Sequence, residues 1–153
     1  MFSKLQSSVL CALLMVSAAA SAQEASTEAV AATQAAPANS LVGAPPAGKG
    51  QVVFFRQSKM VGAAMGLKIR EGETELVKLG NGKYFVAVLE PGTHQFTTGG
   101  EAKDALTLEV EADETYYVSG AIGMGIVAGR SNLAPSDEAT FTELSKKLKP
   151  AKK

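Results

Sequence analysis

The chain has 153 residues, with 15 Lys+Arg balanced by 15 Asp+Glu and a single cysteine. That balance excludes a broad nucleic-acid surface, which would carry a strong basic excess. One cysteine leaves no intrachain disulfide and no thiolate cluster for a metal.

Lys4 is the only charge among the first 22 residues, and an apolar core runs from Val9 to Val16. Ala20-Ser21-Ala22 then has the small–x–small form of a secretory cleavage site. The apolar run is shorter than the ~20 residues that a bilayer span needs. Residues 1–22 therefore read as a signal peptide, which directs the protein to the periplasm or cell envelope. Cys11 lies inside the apolar core, with Leu10 and Ser8 where a lipoprotein signal needs a small residue and a leucine. The expectation is export without lipid and without a transmembrane span in the mature chain. Loss of Lys4 leaves 14 Lys+Arg against 15 Asp+Glu, a net charge of −1, and no cysteine remains.

Residues 23–48 are rich in Ala, Ser, Thr, Glu, Gln and Pro and contain no aromatic side chain. Such a segment cannot bury enough apolar surface to offset its ordering entropy, so it reads as a disordered linker. Pro37, Pro45 and Pro46 limit any helix in it. It is expected to be dispensable for folding.

Residues 49–148 read as one β domain. Val52–Arg56 is apolar and β-prone, and Leu67 and Ile69 alternate with Lys68 and Arg70, a strand with one wet face. Glu71-Gly72-Glu73 marks a hairpin into Thr74–Leu79, and Asn81-Gly82 another into Lys83–Leu89. Both faces of Lys83–Leu89 carry apolar residues, as in a central strand. Pro91 and Gly92 suit the middle positions of a type II turn over Glu90–Thr93, which launches a strand through Thr97. Leu106, Leu108 and Val110 alternate with polar residues, Thr115–Ile122 is rich in Tyr and Val, and Met124–Gly129 closes the strand series. The period then changes to 3.6. Ser136 is the expected N-cap, and Phe141, Leu144 and Leu148 share one helical stripe. The fold class is mainly β, an antiparallel sandwich of the Ig or prealbumin kind with about seven strands and a short C-terminal helix. Residues 149–153 read as a frayed basic tail.

The order V-V-F-F-R-Q-S (Val52–Ser58), G-K-Y-F-V-A-V-L-E-P-G-T-H (Gly82–His94), E-T-Y-Y-V (Glu114–Val118) and E-A-T-F-T-E-L (Glu138–Leu144) resembles the DUF2846 family. Those are small exported bacterial domains of unassigned function, and the resemblance spans roughly Gly50 to Leu144. More distantly, the Pro-Gly turn resembles PEGA-type surface modules. The resemblance brings no catalytic residues. It implies a lipoprotein in many members, from which this chain departs.

Groups that carry chemistry are sparse. His94 is the sole histidine, so a multi-His metal site is excluded within one chain. A hydrolase would need His94 beside a Ser or Asp, yet no G-x-S-x-G elbow is present. Gly123-Met124-Gly125-Ile126-Val127-Ala128 matches G-x-G-x-x-A, but Pro135 and the lack of a βαβ pattern reject a dinucleotide site. Tyr116-Tyr117 sends one ring to each side of its strand. Two Gly- and Met-bearing stretches, Met60–Gly66 and Ala121–Val127, offer apolar surface that adapts to a partner or lipid. If the first and last strands lie side by side and parallel, Arg56 and Arg130 converge beside Met60, Met65 and Met124 as a site for an anionic group.

These features describe a non-catalytic exported interaction or structural module, with no catalytic residue, cofactor or metal. Its expected partner is another envelope protein or an anionic envelope component, and not nucleic acid. One alternative is a small-ligand or lipid-binding sandwich with a cavity lined by Phe54, Phe85 and Tyr117. A second is a hydrolase using His94. Intact-mass analysis of the protein from its producing cells should show a chain that begins at Gln23; an acylated Cys11 would refute the assignment.

Overall fold

The computed structural model describes residues 41–99, 104–123 and 129–152. Residues 1–40, which hold the expected signal and most of the expected linker, lie outside these. Among the described residues the domain is mainly β, with two packed sheets, nine strands and one helix. Strands β1 (Gly50–Arg56), β4 (Lys83–Leu89), β7 (Thr115–Gly123), β8 (Arg130–Ser136) and β9 (Lys149–Pro150) form one sheet, ordered β8-β7-β1-β4-β9. Strands β2 (Leu67–Glu71), β3 (Thr74–Leu79), β5 (Gly92–Thr98) and β6 (Ala105–Val110) form the other, ordered β3-β2-β5-β6. Helix α1 spans Glu138–Ser145.

All seven residues of β1 are buried. Val52 and Phe54 face the second sheet, in a core with Leu67, Ile69, Leu79, Phe96 and Val118. Phe54 meets Phe96 edge-on with ring centroids 5.0 Å apart. Val53 and Phe55 face the other way, with Tyr117, against Phe141 of α1. Phe141 makes ring contacts with Phe55, Tyr84 and Tyr117 at 5.4, 5.6 and 5.4 Å. A strand buried on both faces needs two covers, and the domain supplies a sheet and a helix. The Phe141–Leu144–Leu148 stripe packs as its spacing requires.

Several turns differ from their sequence-based reading. Gly72 and Glu73 do form a two-residue hairpin, with Glu71 opposite Thr74 and Gly72 at φ +57°. Asn81-Gly82 and Pro91-Gly92 do not form hairpins. Each carries the chain from one sheet to the other, since β3 and β5 lie in the sheet that lacks β4. Gly92 holds φ +144°, a left-handed value that glycine tolerates and far from the +80° of a type II turn. The last long strand is β8 rather than Met124–Gly129; Met124–Ala128 lie outside the described residues. β1 lies between β4, antiparallel, and β7, parallel.

The helix N-cap is Asp137 and not Ser136. Its carboxylate accepts from the Thr140 backbone N–H at 2.7 Å, and that bond holds its pKa below the usual range. Asp reaches the N3 amide that Ser136, still in β8, cannot. The tail also departs from a frayed end, because β9 pairs with Lys83 and Tyr84 through Lys149 N–H to Gly82 O (3.0 Å) and Ala151 N–H to Tyr84 O (2.8 Å).

The end of the linker is likewise docked. Val42 packs against the helix-side core, and Gly43 O accepts from the buried Gln51 side chain at 2.8 Å. Gly48 N–H donates to Asp113 Oδ1 at 2.9 Å. Removing residues 1–40 should leave the melting temperature unchanged. Removing residues 1–48 should lower it by roughly 5–10 °C, from the lost Val42 contact and Gln51 hydrogen bond; calorimetry of the two truncations tests the difference.

Candidate functional site

Among the described residues two sheet faces meet in the core, and α1 packs on part of a third, over β1, β4 and β7. The fourth, the outer face of the β3-β2-β5-β6 sheet, is open and polar. Along β2 its outward residues are Lys68 and Arg70, along β3 Glu75 and Lys78, and along β5 Gln95 and Thr97. Lys68, Arg70, Lys78, Gln95 and Thr97, with Ala64–Gly66, line a groove of about 770 Å³.

A β-bulge sets the charge pattern of this groove. Pairing proceeds from Glu71↔Thr74 to Arg70↔Glu75, then shifts so that Ile69 faces Val77 and Lys68 faces Lys78. Without the shift Lys78 would fall opposite Leu67 and point into the core. The bulge restores Val77 and Leu79 to the interior and sets two lysines directly across from each other. Like charges in that position destabilise a sheet. Among the described residues Glu75 moderates Lys68, 3.6 Å from its Nζ, and lies 3.7 Å from Arg70 Nη2. Lys78 has no carboxylate partner among the described residues. Arg70 Nε is buried without a hydrogen-bond partner, while 43% of its side chain remains exposed.

Two glycines give the lysine stems their room. A Cβ on Gly66 would sit 2.4 Å from Lys78 Cε, and one on Gly99 3.0 Å from Lys68 Cβ. The groove thus has an excess of positive charge, one guanidinium nitrogen without a partner, and neutral Gln and Thr groups beside it.

The loop between β1 and β2 forms the rim. It carries Met60, 96% exposed, Val61, 50%, and Met65, 46%. Arg56 fixes it from below. That side chain is 2% exposed, with Nη1 donating to Met65 O at 2.6 Å and Nη2 to Gly62 O at 2.7 Å. Burial pushes its pKa below the ordinary arginine value. Tight turns within the loop (Ala63 N–H to Met60 O, Met65 N–H to Gly62 O) and a bond from Lys59 N–H to Asn81 Oδ1 complete the clamp.

The expected Arg56–Arg130 anion site is therefore corrected. Arg130 opens β8 opposite Gly123, at the end of the sheet where β1 also finishes, so both residues are at the same end. Arg130 is exposed, but Arg56 is not a free donor, because a cation on a strand buried on both faces must be satisfied by backbone carbonyls. Met60 and Met65 lie on the exposed loop as described above, and Met124 is outside the described residues. Lys68 and Arg70 were legible only as a wet strand face, since their convergence with Lys78 depends on the bulge.

The cavity expected between Phe54, Phe85 and Tyr117 does not form. Phe54 and Phe85 face the inter-sheet core, whereas Tyr117 lies on the helix side. Tyr116 does point the opposite way from Tyr117, and its hydroxyl donates to Glu114 Oε2 at 2.9 Å. Burial pushes both phenols up to about 12.

His94 faces inward beside Phe96, its ring stacked at 6.2 Å. Nδ1 bonds the Glu71 carboxylate, and Nε2 bonds Glu90 O at 2.8 Å. Both partners offer acceptor oxygens, so the protonated ring satisfies both at once and a neutral tautomer only one. Among the described residues no cluster of His, Cys, Asp or Glu is arranged to hold a metal ion. No helix there is long and apolar enough to cross a membrane. No family model matches the chain, and comparison with curated proteins likewise finds no match.

Burial by itself would lower the His94 pKa, but the Glu71 and Glu90 hydrogen bonds and the Glu71 charge outweigh it, and the net shift is upward from 6.5. The sign for stability follows. The contribution is complete below the unfolded-state value and is lost as pH rises through the higher folded-state value. Melting temperature should thus fall across that alkaline step, and His94→Gln should abolish the step; an unchanged pH profile in the variant would refute the assignment.

Proposed function

We propose that this protein is a non-catalytic exported binding module that holds an anionic group in the Lys68–Arg70–Lys78 groove. The carrying observation is the Lys68–Lys78 pair, two like charges set directly opposite by a bulge, with no carboxylate partner for Lys78 among the described residues. Such a pair costs stability in the free protein and gains it back when an anion bridges the two ammonium groups. The unpartnered Arg70 Nε adds a donor on the same floor. The signal-like N-terminus supports export to the periplasm or envelope. The resemblance of Gly50–Leu144 to the DUF2846 family agrees with a small exported domain. A hydrolase using His94 has less support, because both ring nitrogens are already engaged by Glu71 and the Glu90 carbonyl.

Inorganic pyrophosphate serves as the probe. In a titration followed by amide NMR, shifts should concentrate at Lys68, Arg70, Lys78 and Thr97. Lys78→Gln should weaken binding roughly tenfold, the loss of one charge-assisted hydrogen bond. The same variant should stabilise the free protein by about 0.2–1 kcal/mol. Shifts scattered over the surface, or a Lys78→Gln variant that binds as the parent does, would overturn the reading.

A further inference from the structure

The loop above the groove exposes apolar surface that the binding reading leaves unused. Met60 is almost wholly in water, and Val61 and Met65 are half exposed. These residues are held out rather than left loose. Arg56 grips the carbonyls of Gly62 and Met65, Asn81 holds Lys59, and Gly62 adopts φ +72° in a space where a Cβ would sit 3.0 Å from Ile122. The clamp prevents the tip from folding back onto the domain.

Around this tip the charge is positive. Lys59 precedes Met60 in the loop, Lys68 and Lys78 sit at the groove end nearest the rim, and Arg130 is at the same end of the other sheet. Among the described residues Glu75 and Asp104 are engaged. Glu75 lies between Lys68 and Arg70, and Asp104 Oδ2 accepts from Leu133 N–H at 2.8 Å and Asn132 Nδ2 at 3.0 Å.

We infer that this end of the domain docks on an anionic phospholipid surface. Met60 and Val61 enter the acyl boundary while Lys59, Lys68, Lys78 and Arg130 meet headgroup phosphates. The inference rests on the anion-binding reading of the groove and names the source of the anion. An apolar tip inside a basic collar fits a lipid interface, where the tip gains apolar burial and the collar gains charge contacts within a Debye length. A soluble phosphate or glycan would use the collar and leave Met60 in water.

The test is co-sedimentation of the protein, as its producing cells release it, with phosphatidylcholine vesicles with and without phosphatidylglycerol. The parent should bind only the anionic vesicles. Met60→Ser with Val61→Ser should weaken that binding by roughly tenfold or more, with melting temperature and pyrophosphate binding unchanged because both side chains are solvent-facing. Lys68→Gln with Lys78→Gln should weaken vesicle binding about fivefold per cation and also reduce pyrophosphate binding. Pyrophosphate binding without vesicle binding, or vesicle binding indifferent to the tip variant, would overturn the lipid assignment and leave the groove reading standing. Loss of pyrophosphate shifts in the parent would overturn the groove reading itself. Concentration-dependent self-association that the tip variant abolishes would assign the tip to a second copy of the chain and also overturn the inference.

Discussion

Burial of β1 on both faces is the constraint from which the rest of the domain follows. Val52 and Phe54 on one side and Val53 and Phe55 on the other cannot all leave water in a single uncovered sheet. The second sheet covers the first pair, and α1 with Phe141 covers the second. β1 also lies between β4 and β7, so its neighbours are fixed before the edges are considered. The chain route obeys this order: Asn81-Gly82 and Pro91-Gly92 move it between layers rather than turning it within one.

The same burial shapes the surface. Arg56 ends β1, and a cation there has to be solvated by the protein itself. It takes the carbonyls of Gly62 and Met65, at 2.7 and 2.6 Å, and so converts a Gly-rich loop into a fixed rim. Core, buried cation, loop and groove are thus one physical sequence. With α1 packed over β1, β4 and β7, the outer face of the four-stranded sheet is a broad polar surface for recognition among the described residues.

Two polar clusters illustrate how differently a fold can treat charge. At His94 each nitrogen has an acceptor and the charge is satisfied internally, which serves to tie the Pro-Gly crossing to β2. At Lys68 and Lys78 the charges oppose each other and remain half solvated. A protein near the usual margin of stability retains such a pair at a cost, and exposed repulsion of this kind is where an external counter-charge has most to gain.

Alternation and composition alone determined the class of fold. Leu67–Arg70, Leu106–Val110 and the Tyr-rich Thr115–Ile122 run identify half-buried strands, and the Phe141 stripe identifies a packed helix. These signals are local, set by which side of a pleat or helix a residue occupies. The Gly72-Glu73 hairpin was legible for the same reason. Sheet membership was not, because a turn sequence fixes how the chain bends and leaves open whether the next strand pairs with the last or crosses to another layer. The candidate site shared that limit. The Leu76-Val77 doublet breaks the alternation of β3, but only packing of Val77 and Leu79 against Ile69 and Leu67 absorbs the break as a bulge. That one-residue shift moves Lys78 from the core to a place opposite Lys68, a decision made by burial on the far side of the strand.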